Sequence, residues 1–295
     1  MRAVTTRLQD ILLTSISPIA WGTTYAVATE FLPSNHPLLV ASLRSLPIGF
    51  LLTIAFRRLP KGIWWWRILI LGSLNIGLFQ ALLFVAAYRL PGGVAATAGA
   101  IQPLLVMLFS WLMLGEKPSK LSILAAIAGL IGVGLLVLGP NARLDSIGII
   151  AALAGAATMA LGIVLVKRWK RPVSLLVFTA WQLAVGGIVL LPIALVIEGP
   201  FTYLSRTNKL GFIYLGLIGT GLAYTLWFRG IDKLKPTAVS YLGLISPVTA
   251  TIIGYVFLQQ TFTSVQLIGV AIVLMSVLIG QRISLSHQRS KVDPI

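Results

Sequence analysis

The chain has 295 residues, of which 57% are hydrophobic and 10% charged, with a formal net charge of +16 and a mean hydropathy of +0.95. A soluble domain carries roughly 25% charged residues, so there is too little charge here to coat a water-facing surface, and the basic excess is assigned to membrane topology rather than to nucleic acid. With no cysteine and only His36 and His287, there is no basis for a disulfide, a thiolate site or a histidine metal cluster, and no cofactor is expected.

Ten apolar segments follow in order, at about 11–31, 38–56, 66–88, 93–114, 120–139, 146–166, 174–197, 210–229, 236–258 and 264–282. Each is close to the ~20 residues that span a bilayer as a helix. Lipid satisfies no backbone donor or acceptor, so these spans must be helical, and the alternating stretches of a β-barrel are missing. The first segment lacks a clear small-residue cleavage site and reads as an uncleaved helix rather than a signal peptide. The connections are short, which leaves little room for a soluble domain.

Loop charges orient the bundle. With the N-terminus in the cytoplasm, 18 of the Lys and Arg residues fall on the inner side and 4 on the outer, with Arg44 left inside a span. Positive charge favours the cytoplasmic side, so both termini are expected there. Trp64, Trp65 and Trp66 follow an inner basic cluster and read as interface anchors.

The third and fourth segments recur later in the chain. A shift of 144 positions carries residues 71–114 onto 215–258 without a gap, with Pro103 on Pro247, Gly99 on Gly243 and Phe84 on Phe228. The second segment aligns at a shift of 137, with Gly49 on Gly186. The difference places about seven extra residues in the outer loop Glu198–Lys209. Ten spans in two copies give five each, and an odd number forces the second copy to enter from the opposite side. The expected fold is therefore an all-α membrane protein of ten transmembrane helices, a 5+5 inverted repeat. Its halves are 1–140 and 141–295 within a single transmembrane domain. Such proteins commonly bind their cargo between the copies.

Several segments resemble the EamA-type carriers of the drug/metabolite transporter superfamily. They are Ala20-Trp21-Gly22-Thr23-Thr24-Tyr25, Leu43-Arg44, Pro103-Leu104-Leu105 through Leu114-Gly115-Glu116-Lys117, Trp181-Gln182-Leu183, Ser246-Pro247-Val248 and Gln266-Leu267-Ile268-Gly269. The likeness covers almost the whole chain. One departure is Gln259-Gln260-Thr261, where many members keep glycine-glutamate. The resemblance implies solute transport by alternating access, and the pattern is most similar to bacterial exporters of aromatic amino acids. It also implies a multi-pass protein of the bacterial cytoplasmic membrane, with no enzyme activity.

The seven carboxylates are Asp10, Glu30, Glu116, Asp145, Glu198, Asp232 and Asp293, each expected in a tail, in a loop or within about a turn of a helix end. Proton-coupled carriers usually keep an ionisable relay inside the membrane, so facilitated movement is expected. Arg44 reads as a structural residue bonded to carbonyls or to Glu30. Candidate substrate contacts are the deep neutral polar residues Asn75, Gln80, Gln102, Ser240 and Ser246, with the aromatics Trp21, Tyr25, Phe79, Tyr224, Trp227 and Tyr241. Amides and hydroxyls can bond the two ends of an amino acid, while aromatics wall its side chain. They lie on the spans with which the family lines its cavity. Trp181 and Gln182 do not, and rank lower. Pro103 and Pro247 occupy matching mid-helix positions, each freeing a carbonyl one turn earlier, and are the expected hinges. The expected partners are a small-molecule substrate and membrane lipids, with no nucleic acid, and the working unit is a monomer. The alternatives are a carrier for phosphorylated or nucleotide-linked sugars, which needs more buried cations than Arg44, and a membrane-embedded enzyme, which needs the missing acid–base groups.

Overall fold

An apolar segment in lipid must close its hydrogen bonds within itself, and the computed structural model is helical in nearly every described residue. It describes residues 2–33, 36–89, 99–137, 145–258 and 263–292, with no strand among them. The first half contains α1 (Arg2–Phe31), α2 (Pro37–Phe56), α3 (Trp64–Gly72), a π-helical segment (Ser73–Leu78), α4 (Phe79–Arg89), α5 (Gln102–Leu114) and α6 (Lys120–Val137). The second half contains α7 (Ser146–Trp169), α8 (Leu175–Glu198), α9 (Arg206–Gly216), a second π-helical segment (Leu217–Leu222), α10 (Ala223–Lys233), α11 (Pro236–Gly243), α12 (Ile245–Leu258) and α13 (Ser264–Val292). Among the described residues, eight stretches are long and apolar enough to cross a membrane, while Gln102–Leu114 and Lys120–Leu136 are shorter apolar helices in the fourth and fifth expected spans. Large apolar side chains such as Leu51, Leu112, Ile197 and Phe257 face outward, as a lipid-covered surface requires.

Helix boundaries repeat. The two π-helical segments start at Ser73 and Leu217 and end at Leu78 and Leu222, so both ends recur at the shift of 144 that relates the sequences. The segments that follow, α4 and α10, keep the same shift. Packing repeats as well. The helix α1 packs on α10 and α12, and α7 packs on α4 and α5.

Equivalent helices also pack on each other, and they run antiparallel. Near its start, α2 meets the end of α8, where the backbone N–H groups of Leu38 and Leu39 donate to Glu198 at 2.8 and 2.9 Å. Further along, Ser42 Oγ donates to the Gly187 carbonyl at 3.0 Å, and Gly49 lies against the Ala184 backbone. The helices α6 and α13 behave alike. Gly132 abuts Gly269, and Ser276 Oγ donates to the Ala125 carbonyl at 2.6 Å. The shift of 144 turns the first of these contacts into the second, as in an isologous interface.

Side-chain groups from one helix complete the backbone of another. Glu198 meets two orphan N–H groups at the first turn of α2, where a carboxylate also suits the helix dipole. Lys167 Nζ donates to the carbonyls of Ile231, Asp232 and Leu234 at 2.9, 3.0 and 2.9 Å, closing the C-terminal end of α10. Glu198→Ala is expected to cost about 1–2 kcal/mol, read as a lower thermal midpoint in detergent. Glu198→Gln keeps one acceptor and is expected to lose less.

Two expectations need correction. The helix α1 begins at Arg2, well before position 11, so Asp10 lies two turns inside it rather than in a tail. Asp10 is buried there because Arg229 of α10 reaches it at 2.6 Å. The prolines are mid-span, yet neither interrupts a continuous helix. The fourth span turns at Ala100-Ile101 and the ninth at Leu244, and Pro103 and Pro247 fall in the first turn of the helix that restarts. There a missing N–H costs nothing. Asp293 lies outside the described residues.

Candidate functional site

The two π-helical segments set the centre of the molecule. A π turn adds a residue per turn and re-aims the side chains that follow. Asn75 belongs to the first segment. Gly219, its counterpart, belongs to the second, and its carbonyl accepts the Trp21 Nε1–H at 3.1 Å. One turn beyond, the same shift pairs Gln80 with Tyr224, and these two bond to each other, with Gln80 Nε2 3.4 Å from Tyr224 Oη. Two positions that the shift of 144 relates thus meet in the fold.

Tyr224 is the hub. Its hydroxyl donates to the Asn75 carbonyl at 3.3 Å, and Arg44 of α2 lies near that hydroxyl. Its ring lies 5.2 Å from Trp21 and 5.8 Å from Phe228, and Trp21 in turn lies 4.9 Å from Trp227. Gln102 and Trp227 both border Gly243, with Gln102 Oε1 3.4 Å and the Trp227 ring 3.7 Å from where a Cβ would stand. The structure thus gathers Trp21, Asn75, Gln80, Gln102, Tyr224 and Trp227.

Other candidates fall elsewhere. Tyr241 fits its ring against Gly280 and donates to the Ser122 carbonyl, beside a pocket lined by Glu116, Lys117 and Lys235. Ser240 is buried and bonds the Thr237 carbonyl of its own helix at 2.8 Å. Ser246 borders Gly22 through its backbone carbonyl. Phe79 packs half-buried against the main core. The Tyr25 side chain lies outside the described residues.

Gln182, ranked low from sequence, belongs to the cluster. Its Oε1 accepts from Asn75 Nδ2 at 2.7 Å. The signal was present, since Gln182 is the one amide in a 24-residue helix that is otherwise almost wholly apolar. Its neighbour Trp181 stays out and donates to the Arg58 carbonyl at 2.7 Å. Gly162 supplies the notch into which Asn75 fits, for a Cβ there would stand 1.9 Å from Asn75 Oδ1.

This cluster holds more polar atoms than it satisfies. Asn75 Oδ1, Gln80 Oε1, Gln182 Nε2, Thr220 Oγ1 and Trp227 Nε1 are buried with no hydrogen-bond partner in the protein. Each such atom costs about 1–3 kcal/mol, and buried polar groups are rarely left so. Donors and acceptors are both present, with aromatic faces alongside. No described carboxylate bonds to any of these groups.

Long apolar helices enclosing a buried, under-satisfied polar cluster define a multi-pass membrane transporter. Matches to the EamA-like transporter family cover residues 9–138 and 146–280, and the chain belongs to that family. It is 44% identical over 281 residues to Protein PecM of Dickeya dadantii, covering 95% of this chain and 94% of that one. It is 32% identical to the WAT1-related protein At3g02690, chloroplastic, of Arabidopsis thaliana, over 89% of this chain and 67% of that one. It is 26% identical to the uncharacterized transporter YvbV of Bacillus subtilis, over 92% and 91%. A solved crystal structure superposes with a TM-score of 0.80 over 94% of this chain and 98% of its own, at 21% identity, which speaks to fold alone. The family and YvbV bear the names of transporters rather than enzymes.

Proposed function

We propose that the protein exports amino acids or related small metabolites across the bacterial cytoplasmic membrane by alternating access, as a facilitated carrier working as a monomer. Ten helices cross the bilayer with both termini inside, in two inverted copies of five. The recurring π-helical segments and the antiparallel pairing of equivalent helices support the inversion, and the loop charges support the orientation.

The observation that carries the reading is the set of unpartnered polar atoms around Tyr224. A zwitterion offers donors at one end and acceptors at the other, and so meets both kinds of orphan at once. Trp21, Tyr224, Trp227 and Phe228 offer a large apolar side chain a wall. Counterflow of labelled amino acids in proteoliposomes tests this, with saturable exchange expected. Absence of exchange with every amino acid would sink the substrate class, and a strict need for an imposed proton gradient would sink the facilitated mechanism.

Pro103 and Pro247 serve as hinges. Alanine at either site restores an N–H facing the carbonyl of Gly99 or Gly243, which favours a continuous helix. The expected result is roughly tenfold slower exchange, a barrier change of about 1.4 kcal/mol, in a protein whose thermal midpoint is kept. Unchanged exchange in both variants would remove the hinge role.

A further inference from the structure

An apolar groove separate from the Tyr224 cluster opens on the surface of the molecule. It lies between α3 and α8, has a volume of about 310 Å³, and is lined by Trp65, Trp66, Leu69, Val185, Ile188 and Val189. Its walls are almost wholly apolar. The two helices touch on the inner side of the groove, where Gly72 packs on Val185 and Gly186 on Ile76, so the groove has a floor.

One end of the groove is basic. The α2–α3 loop carries Arg57, Arg58 and Lys61, all exposed, and among the described residues none of them is in an ion pair. The loop is fixed in place rather than merely close in sequence. The Arg58 carbonyl accepts the Trp181 Nε1–H at 2.7 Å, and Trp181 lies one helical turn before Val185 of the groove wall. Arg57 caps α2 in a left-handed conformation, donating its N–H to the Thr53 carbonyl at 2.9 Å. Arg67 is not part of this group, because it is held inward between the Trp64 and Trp169 rings, 5.1 and 5.4 Å from their centroids.

We propose that this groove is a binding site for one anionic phospholipid. An acyl chain lies between the α3 tryptophans and the α8 aliphatic wall, and the headgroup phosphate meets Arg57, Arg58 and Lys61. An apolar trough ending in three uncompensated cations complements an anionic amphiphile better than a neutral one. Indole rings at the mouth suit the headgroup level, where such rings concentrate. Basic residues near a membrane surface are worth about fivefold each in affinity for anionic lipid. The site does not depend on the transport reading.

The test uses the full chain purified in mild detergent and titrated with phosphatidylglycerol or phosphatidylcholine of identical acyl chains, read by native mass spectrometry and by thermal midpoint. Phosphatidylglycerol is expected to bind on the order of a hundredfold more tightly. The triple variant Arg57→Gln, Arg58→Gln, Lys61→Gln should bind the two lipids alike. Ile188→Trp fills the groove from its exposed wall and should weaken both. Arg168→Gln with Lys170→Gln removes two exposed cations elsewhere and should keep the preference. Equal binding of both lipids to the unaltered protein overturns the proposal. So does an equal loss in the Arg168/Lys170 variant, or unaltered binding in Ile188→Trp.

Discussion

Tyr224→Phe is expected to slow transport by roughly five- to 150-fold while leaving the protein folded. The ring contacts with Trp21 and Phe228 survive, at 5.2 and 5.8 Å in the parent structure. Only the hydroxyl goes, and with it the bonds to Gln80 and to the Asn75 carbonyl. Both partners are buried, so each becomes a further unsatisfied group, and a loss of about 1–3 kcal/mol follows. The initial exchange rate in proteoliposomes measures it, and the thermal midpoint separates it from unfolding.

The repeat allows a sharper version of this experiment. Gln80 and Tyr224 are counterparts at the shift of 144 and bond one another. Exchanging them, Gln80→Tyr with Tyr224→Gln, keeps the pair and moves its asymmetry to the other half. The double variant is expected to transport faster than the product of the single effects allows, which a double-mutant cycle quantifies. Under the proposed alternating access, it is also expected to shift the balance between the two facing states, because inverted halves would adopt those states by trading roles. The chain has no native cysteine, so a cysteine at Thr237, beside the Tyr241 pocket, reports that balance by its labelling rate. Strict additivity in the cycle, with unaltered labelling, would mean that the pair is ordinary packing.

The parts of this fold visible in sequence are those that local composition controls. Long apolar runs and their short connections specify ten helical stretches, and the glycine and proline register links the third and fourth to the eighth and ninth. The π-helical segments escaped, because a shift from i→i+4 to i→i+5 bonding is decided by what packs around the helix and leaves no local pattern. The site was legible in kind and less so in membership. Tyr224, Gln80, Asn75 and Trp21 meet as a set of deep polar and aromatic residues should. Tyr241 belongs to the same set by type, yet the notch at Gly280 turns its ring toward Ser122 instead. Gln182 was set aside for the helix it sits on, but α8 crosses close enough to the first π-helical segment for its amide to reach Asn75. Asp10 was misplaced because the start of the chain, Arg2 to Gln9, hid two turns of helix that contacts with α10 and α13 hold in place.

Gly49→Ala is expected to prevent stable folding, and the reason lies in backbone rather than side-chain contact. A Cβ at Gly49 would stand 2.2 Å from the Ala184 nitrogen and 2.7 Å from its Cα. The helices α2 and α8 would have to separate along the seam that also carries the Ser42–Gly187 and Glu198–Leu38 bonds. Overpacking of a rigid contact costs about 3 kcal/mol or more, enough to remove most folded protein from a detergent extract. Ala184→Gly should not rescue it, because the opposing atoms remain. Gly230→Ala offers the contrast. Its Cβ meets the Thr14 side chain, with the methyl at 2.4 Å and Oγ1 at 2.5 Å, so adding Thr14→Ala removes both atoms and should restore folding. Gly155→Ala sets the baseline, since its nearest neighbour is Leu82 Cβ at an ordinary 3.4 Å. Helix propensity there favours alanine by up to about 1 kcal/mol, so its thermal midpoint should stay level or rise. If Gly49→Ala matched that baseline, the close crossing of the two counterpart helices would not be what holds the halves together.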